Sequence, residues 1–158
     1  SKNTIENIGV DLLFVDGEDM GRSGDINNFS IGTKLFSKSM KNNLPQLAIC
    51  LDMVGEINAE FKMEYFSFIQ AGDDLKEIWD LANQLGYLEF KFDLGQRIYD
   101  DHRALFIETG IPSIDIIDFD YPYWHTLEDT PDKCSPITLQ RVGQLMIEYL
   151  YRKDRENE

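Results

Sequence analysis

The sequence is short of positive charge, of histidine and of cysteine, and each shortage excludes something. Fifteen Lys and Arg stand against 29 Asp and Glu in 158 residues, a formal net charge of −14. Phosphate backbones and anionic lipid surfaces are held by basic faces, so nucleic acid and acidic membranes are excluded as partners. No run of 18 or more apolar residues exists, so the chain carries no transmembrane segment. Cys50 and Cys134 are the two cysteines. They form no CxxC, nothing calls for a disulfide between them, and they leave the compartment open. The opening Ser1-Lys2-Asn3-Thr4 has neither an apolar leader core nor an initiating Met. It reads as the result of leader removal or as part of a longer chain. What is present is material for a core: 42% of residues are hydrophobic and 12% aromatic, which excludes disorder despite the charge.

Short apolar runs alternate with helical patterns. Residues 10–15 and 47–54 read as buried strands, closed by Asp16-Gly17 and by Gly55. Residues 61–69 alternate polar and apolar, as a half-buried strand does. Asp73-Asp74 opens a helix with Leu75, Ile78, Leu81, Ala82 and Leu85 on one face and Gly86 as its stop. A strand over 88–92, a helix over 103–109 ended by Gly110, and a strand over 113–118 follow. Ser135 caps a final helix that has Pro136 at its first position and Ile137, Val142, Leu145, Met146, Tyr149 and Leu150 on one face. The charged tail 152–158 is expected to fray. No repeat, low-complexity tract or linker divides residues 1–158. The alternation predicts one α/β domain, an α/β/α sandwich with a mixed, mostly parallel central sheet. Chemistry in such sheets collects in loops beyond the carboxyl ends of strands.

Four stretches there carry acids or histidine. Glu18 and Asp19 are adjacent carboxylates just after a glycine. They read either as a solvated acidic turn or as one metal ligand beside one general acid/base. Asp52 lies within the apolar run AICLDMVG. Burying a carboxylate there is costly unless it is paired, bound to metal or bonded to loop amides. Tyr99-Asp100-Asp101-His102 reads as a helix cap, a role compatible with catalysis. His125 sits in the aromatic stretch YPYWHTLEDT, where it is either packed or a metal ligand, with Trp124 available to wall a small pocket.

In this order, the segments VDLLFVDGEDMG, LAICLDMVGE, IYDDHRALFIETGIPSIDII, YWHTLEDTPD and ITLQRVGQLMIEYLY resemble the zinc-dependent glutaminyl-peptide cyclotransferases and the related co-catalytic zinc aminopeptidases. The resemblance runs from Asp11 to Tyr151. It implies a zinc aminopeptidase-like, phosphorylase/hydrolase-like sandwich. Glu18 matches the general acid/base, Asp19 and His125 match zinc ligands, and Trp124 matches the wall of the cyclase substrate pocket. Asp52 matches an acid that ligates a second metal in the aminopeptidases and is hydrogen-bonded in the cyclases. Its partner in the cyclases matches Asp100 or Asp101. The resemblance implies one Zn2+ in a cyclase and two in an aminopeptidase. The substrates it implies are peptides with a free N-terminus.

The family places a further ligand Asp, and the aminopeptidases a His-x-Asp motif, upstream of the first residue. On this resemblance the chain is expected to be the C-terminal part of a longer enzyme, incomplete as a catalytic domain and a weak zinc binder alone. The resemblance also implies a secreted, periplasmic or membrane-anchored enzyme. A third reading, a non-catalytic binding ectodomain of the same fold, is disfavoured by the intact set of Glu18, Asp19, Asp52 and His125.

Overall fold

The structure, a computed structural model, describes residues 4–22, 24–40 and 44–158. Residues 1–3, which bear on the question of a leader, lie outside them. Two parallel ladders form the framework. β1 (Ala48–Asp52) pairs with β4 (Ser113–Ile117), and β2 (Phe61–Met63) pairs with β3 (Phe90–Leu94). Helix α1 (Ile31–Ser39) precedes β1, α2 (Tyr65–Gln84) links β2 to β3, α3 (Asp101–Thr109) leads into β4, and α4 (Pro136–Glu156) follows. The alternation thus produces the expected α/β fold. Among the described residues the antiparallel part of a mixed sheet is one isolated bridge, Glu56 to Cys134. None of the described helices is long and apolar enough to cross a membrane.

β4 is buried at all five positions, so both of its faces are covered. α2 and α3 both pack on β4, and α4 packs on α2. Ile114 and Ile116 join Phe61, Leu75, Ile78, Trp79, Phe90, Val142 and Leu145 in the core. Phe90 meets Phe61 at 4.9 Å and the edge of Trp79 at 5.2 Å between ring centroids. The Trp79 indole donates to the Lys91 carbonyl at 2.8 Å, so the one polar atom of this large ring is satisfied.

Several boundaries differ from the sequence reading. Residues 10–15 do not form a strand: Leu12 is 83% and Phe14 93% exposed. A strand is stabilised through its neighbour, and the run has no ladder partner among the described residues. The strand expected over 61–69 ends at Met63. There the Glu64 carboxylate accepts the Phe66 and Ser67 amides and starts α2 at Tyr65. The backbone of Ala71 leaves helical geometry (φ −148°, ψ 41°). The helical pattern that begins at Asp73 is therefore the second of two segments. β3 runs two residues later than expected. α3 begins at Asp101, and Gly110 ends it with φ 76°. The stop at Gly86 (φ 77°) and the Ser135 cap, which accepts the Thr138 amide, match the sequence reading.

The tail does not fray as expected. α4 continues to Glu156, and Asp154 is buried. Asp154 Oδ1 accepts the amides of Glu6, Asn7 and Ile8 at 3.0, 2.6 and 3.3 Å. α1 was not anticipated, because Gly32, Thr33 and two serines weaken its helical signal.

Candidate active site

The acid loop is held by the start of α1. The first amides of a helix lack intrahelical acceptors. Here the amides of Ser30, Ile31 and Gly32 donate to the carbonyls of Glu18, Gly17 and Asp16 at 2.9, 3.1 and 3.0 Å. Gly17 turns the chain with φ 65°, and a 3-10 turn over Glu18–Met20 presents the two carboxylates. At Gly32 a side chain would meet the backbone of Asp16, so the helix approaches this closely only because glycine stands there.

Glu18 is partly buried and faces an acidic group of neighbours. Burial first, then the charges of Asp100, Asp19, Asp101 and Asp52, raise its carboxyl to about 7. Asp52 ends β1. Burial raises its carboxyl, the Met53 amide bonds to it and opposes the rise, and the charges of Asp101 and Asp19 add to it. Met53 itself adopts φ 50°, unusual for a residue with a side chain. Asp100 caps α3 by accepting the Asp101 amide and is buried. Burial raises it to about 6, against that amide bond and with help from Asp52 and Asp101. The structure therefore gathers both Asp100 and Asp101 around Asp52 and Glu18.

His125 comes from the loop beyond β4, and its Nε2 lies 2.6 Å from Asp19 Oδ2, with both side chains about half exposed. The Trp124 ring stacks on the imidazole, with centroids 4.2 Å apart and planes 25° apart, and leans on Phe119 at 5.2 Å. The backbone at His125 is left-handed (φ 57°). Only three described non-glycine residues have positive φ, and two of them are His125 and the neighbour of Asp52. Strain of this kind gathers at functional sites. An imidazole nitrogen and a carboxylate oxygen facing each other are donors that zinc accepts, so the pair fits a zinc site; a catalytic zinc takes three protein ligands.

The sequence reading missed the layer behind this cluster. Cys50, opposite Asp115 in the β1–β4 register, places its sulfur within 4.8 Å of carboxylate oxygens of Asp100 and Asp115. Asp115 is fully buried, and His102 and Glu64 lie behind it. A carboxylate inside the apolar strand SIDII was the available signal, the same one that singles out Asp52.

A family model described as Peptidase family M28 matches residues 1–150. No curated protein matches the chain. Among solved structures the chain is similar to a glutaminyl cyclase of Porphyromonas gingivalis, with 32% identity and a TM-score of 0.83, covering 87% of this chain and 54% of that one. It is also similar to a Bacteroides thetaiotaomicron glutaminyl cyclase bound to N-acetylhistamine, with 32% identity and a TM-score of 0.82 (87% and 52% covered). A Zn-dependent exopeptidase from Parabacteroides distasonis is similar too, with 31% identity and a TM-score of 0.80 (87% and 52% covered). The chain thus spans about half the length of these solved relatives.

Proposed function

The chain belongs to peptidase family M28, and from that premise we propose that it carries the acid–base and zinc-binding core of a glutaminyl-peptide cyclotransferase. The observation that carries this reading is Glu18, whose carboxyl is raised to about 7 beside the Asp19–His125 pair. A carboxyl poised near neutrality can take a proton and give it back within one turnover.

In the proposed reaction Glu18 accepts a proton from the α-amine of an N-terminal glutamine as that nitrogen attacks the side-chain γ-carbonyl carbon. The new C–N bond closes a pyroglutamyl ring, the bond to the amide nitrogen breaks, and Glu18 returns the proton to the departing ammonia. Asp19 and His125 would hold zinc, which when bound supplies Lewis-acid polarisation of the carbonyl. Asp52 and the acids at the start of α3, Asp100 and Asp101, keep the Glu18 carboxyl high. Trp124, stacked on His125 and 45% exposed, supplies an apolar wall for the small substrate side chain.

A second reading is a zinc aminopeptidase with two ions, Asp52 holding the second and Glu18 activating water. The likeness to the Parabacteroides exopeptidase favours it. The aromatic wall beside His125 and the acids gathered around Asp52 favour the cyclase. From the family resemblance we also propose that the enzyme is secreted, periplasmic or membrane-anchored.

The test is incubation of the native enzyme with Gln-initiated and Leu-initiated peptides. A cyclase releases ammonia from the first and leaves the second intact. Release of free leucine would instead establish the peptidase.

A further inference from the structure

Behind Asp100 lies a closed ring of buried polar groups drawn from three elements. Glu64, the cap of α2, is buried, and its oxygens accept the amides of Phe66 (2.9 Å), Ser67 (2.6 Å) and Ile98 (3.0 Å) and the Ser67 hydroxyl (2.8 Å). His102 Nε2 approaches Glu64 Oε2 at 3.1 Å, and His102 Nδ1 lies 3.3 Å from Asp115 Oδ2 on β4. Ser67 Oγ, which donates to Glu64, accepts the Asp115 amide at 2.9 Å and closes the ring. The Glu64, His102 and Asp115 side chains are at most 1% exposed.

The proton count in this ring is constrained. Glu64 receives four other donors and acts as a carboxylate. Burial works against its charge, but the His102 hydrogen bond and charge, with the Ile98 and Phe66 amides, hold its carboxyl below the usual range. Nε2 of His102 therefore carries a hydrogen and donates it. Nδ1 then faces the Asp115 carboxyl across 3.3 Å, a close polar contact whose geometry falls outside that of a hydrogen bond. Nδ1 and both Asp115 carboxyl oxygens are buried without a formed hydrogen bond among the described residues, so each is free to respond to the other's protonation. Nothing in the acid-loop chemistry uses these groups, and the capping of α2 calls for Glu64 but not for His102 or Asp115.

The ring's placement gives it a use. His102 lies two residues beyond Asp100 in the first turn of α3, so fixing the imidazole fixes the cap. Asp115 also borders Asp100 directly, with carboxylate oxygens of the two within 4.8 Å of each other and of Cys50 Sγ. We propose that the Glu64–Ser67–His102–Asp115 ring sets the position of Asp100 beneath Glu18, making His102 and Asp115 positioning residues for proton transfer. The activity readout rests on the cyclase reading above; the ring itself does not.

The test compares Asp115→Asn, which keeps polar atoms toward Nδ1 and Asp100, with Asp115→Leu, which removes them. In the native enzyme Asp115→Leu is expected to lower kcat by about ten- to a hundredfold with KM within about twofold, while Asp115→Asn stays within about threefold of the parent. Equal loss in both variants, a loss confined to KM, or full activity in a folded Asp115→Leu protein would overturn the proposal.

Nitrogen NMR of the two histidines gives an arm that needs neither turnover nor a folded leucine variant. The parent should show His102 with a protonated, slowly exchanging Nε2, and Asp115→Asn should move the Nδ1 resonance while leaving Nε2 in place. A bare Nε2, or an Nδ1 indifferent to residue 115, would sink the ring. An enzyme that releases no ammonia from Gln-peptides but shows these resonances would retire the cyclase reading and leave the ring standing.

Discussion

The Asp19 carboxylate and the His125 imidazole meet at 2.6 Å although 106 positions separate them in the chain. One is fixed by the start of α1, the other by the loop after β4, so the pair forms only when both ends of the fold are in place. His125→Ala is expected to strip zinc from the native enzyme while leaving the fold intact. Zinc content after dialysis, measured beside the circular dichroism spectrum, checks this; an unchanged metal content would remove His125 from the ligand set.

Glu18→Gln should abolish turnover and leave zinc bound. The parent enzyme's pH profile follows from the same carboxyl. A base must be ionised, and with its carboxyl raised to about 7 Glu18 loses its base form as pH falls below that value. At saturating substrate kcat should therefore climb from pH 5 toward 7 as Glu18 ionises, while kcat/KM also follows the free α-amine of the substrate, which titrates at about 8. A flat profile across that window would remove Glu18 from the base role.

Trp124→Ala should raise KM by about tenfold, the loss of a stacked apolar wall, with a smaller change in kcat. Steady-state kinetics on Gln-initiated peptides decide it. An unchanged KM would favour the peptidase reading.

Gly32→Ala tests the seat of the acid loop. The added methyl would meet the Asp16 backbone, and the cost of such overpacking is about 1–3 kcal/mol. The melting temperature should fall, and kcat should fall further than stability alone explains, because Glu18 and Asp19 move with the loop. A variant with parent kinetics would show that the loop does not need this helix.

Asp118, buried just past β4, supplies a stability prediction away from the chemistry. Burial, a hydrogen bond with Glu56 and the Glu56 charge raise its carboxyl to about 7, whereas in the unfolded chain it titrates near about 4. Between those values the folded protein keeps a proton that the unfolded chain has released. This contribution to stability is complete below about pH 4 and is lost as pH rises toward 7. Asp118→Asn should flatten the fall in melting temperature between pH 5 and pH 7.5. Parallel curves for parent and variant would contradict it.

Much of this was legible in the sequence because the signals were local. Gly86 and Gly110 stop helices, Ser135 and Pro136 start one, and the runs around Ala48–Asp52 and Ser113–Ile117 are strands, all as local chemistry dictates. The cluster around Glu18 was expected only through the family resemblance, which the order of these acids and His125 carries. What failed was non-local. Residues 10–15 have the composition of a strand, but a strand needs a partner that composition cannot supply. Glu64 begins α2 because its carboxylate finds the amides of residues 66 and 67, while the same letters alternate like a strand. The ring behind Asp100 joins residues up to 51 positions apart; only Asp115 advertised itself, as a charge inside an apolar run.

The contact of Asp154 with residues 6–8 gives the segment before the acid loop a second meaning. That segment is a strap: the last turn of α4 pins it at one end, and the first turn of α1 pins the carbonyls of residues 16–18 at the other. A strap fixed at both ends has few conformations left to lose, so the ordering of Glu18 is partly provided in advance by a carboxylate at the far end of the chain. Trimming α4 by a single turn would release residues 6–8 and leave the acid loop held by the start of α1 alone.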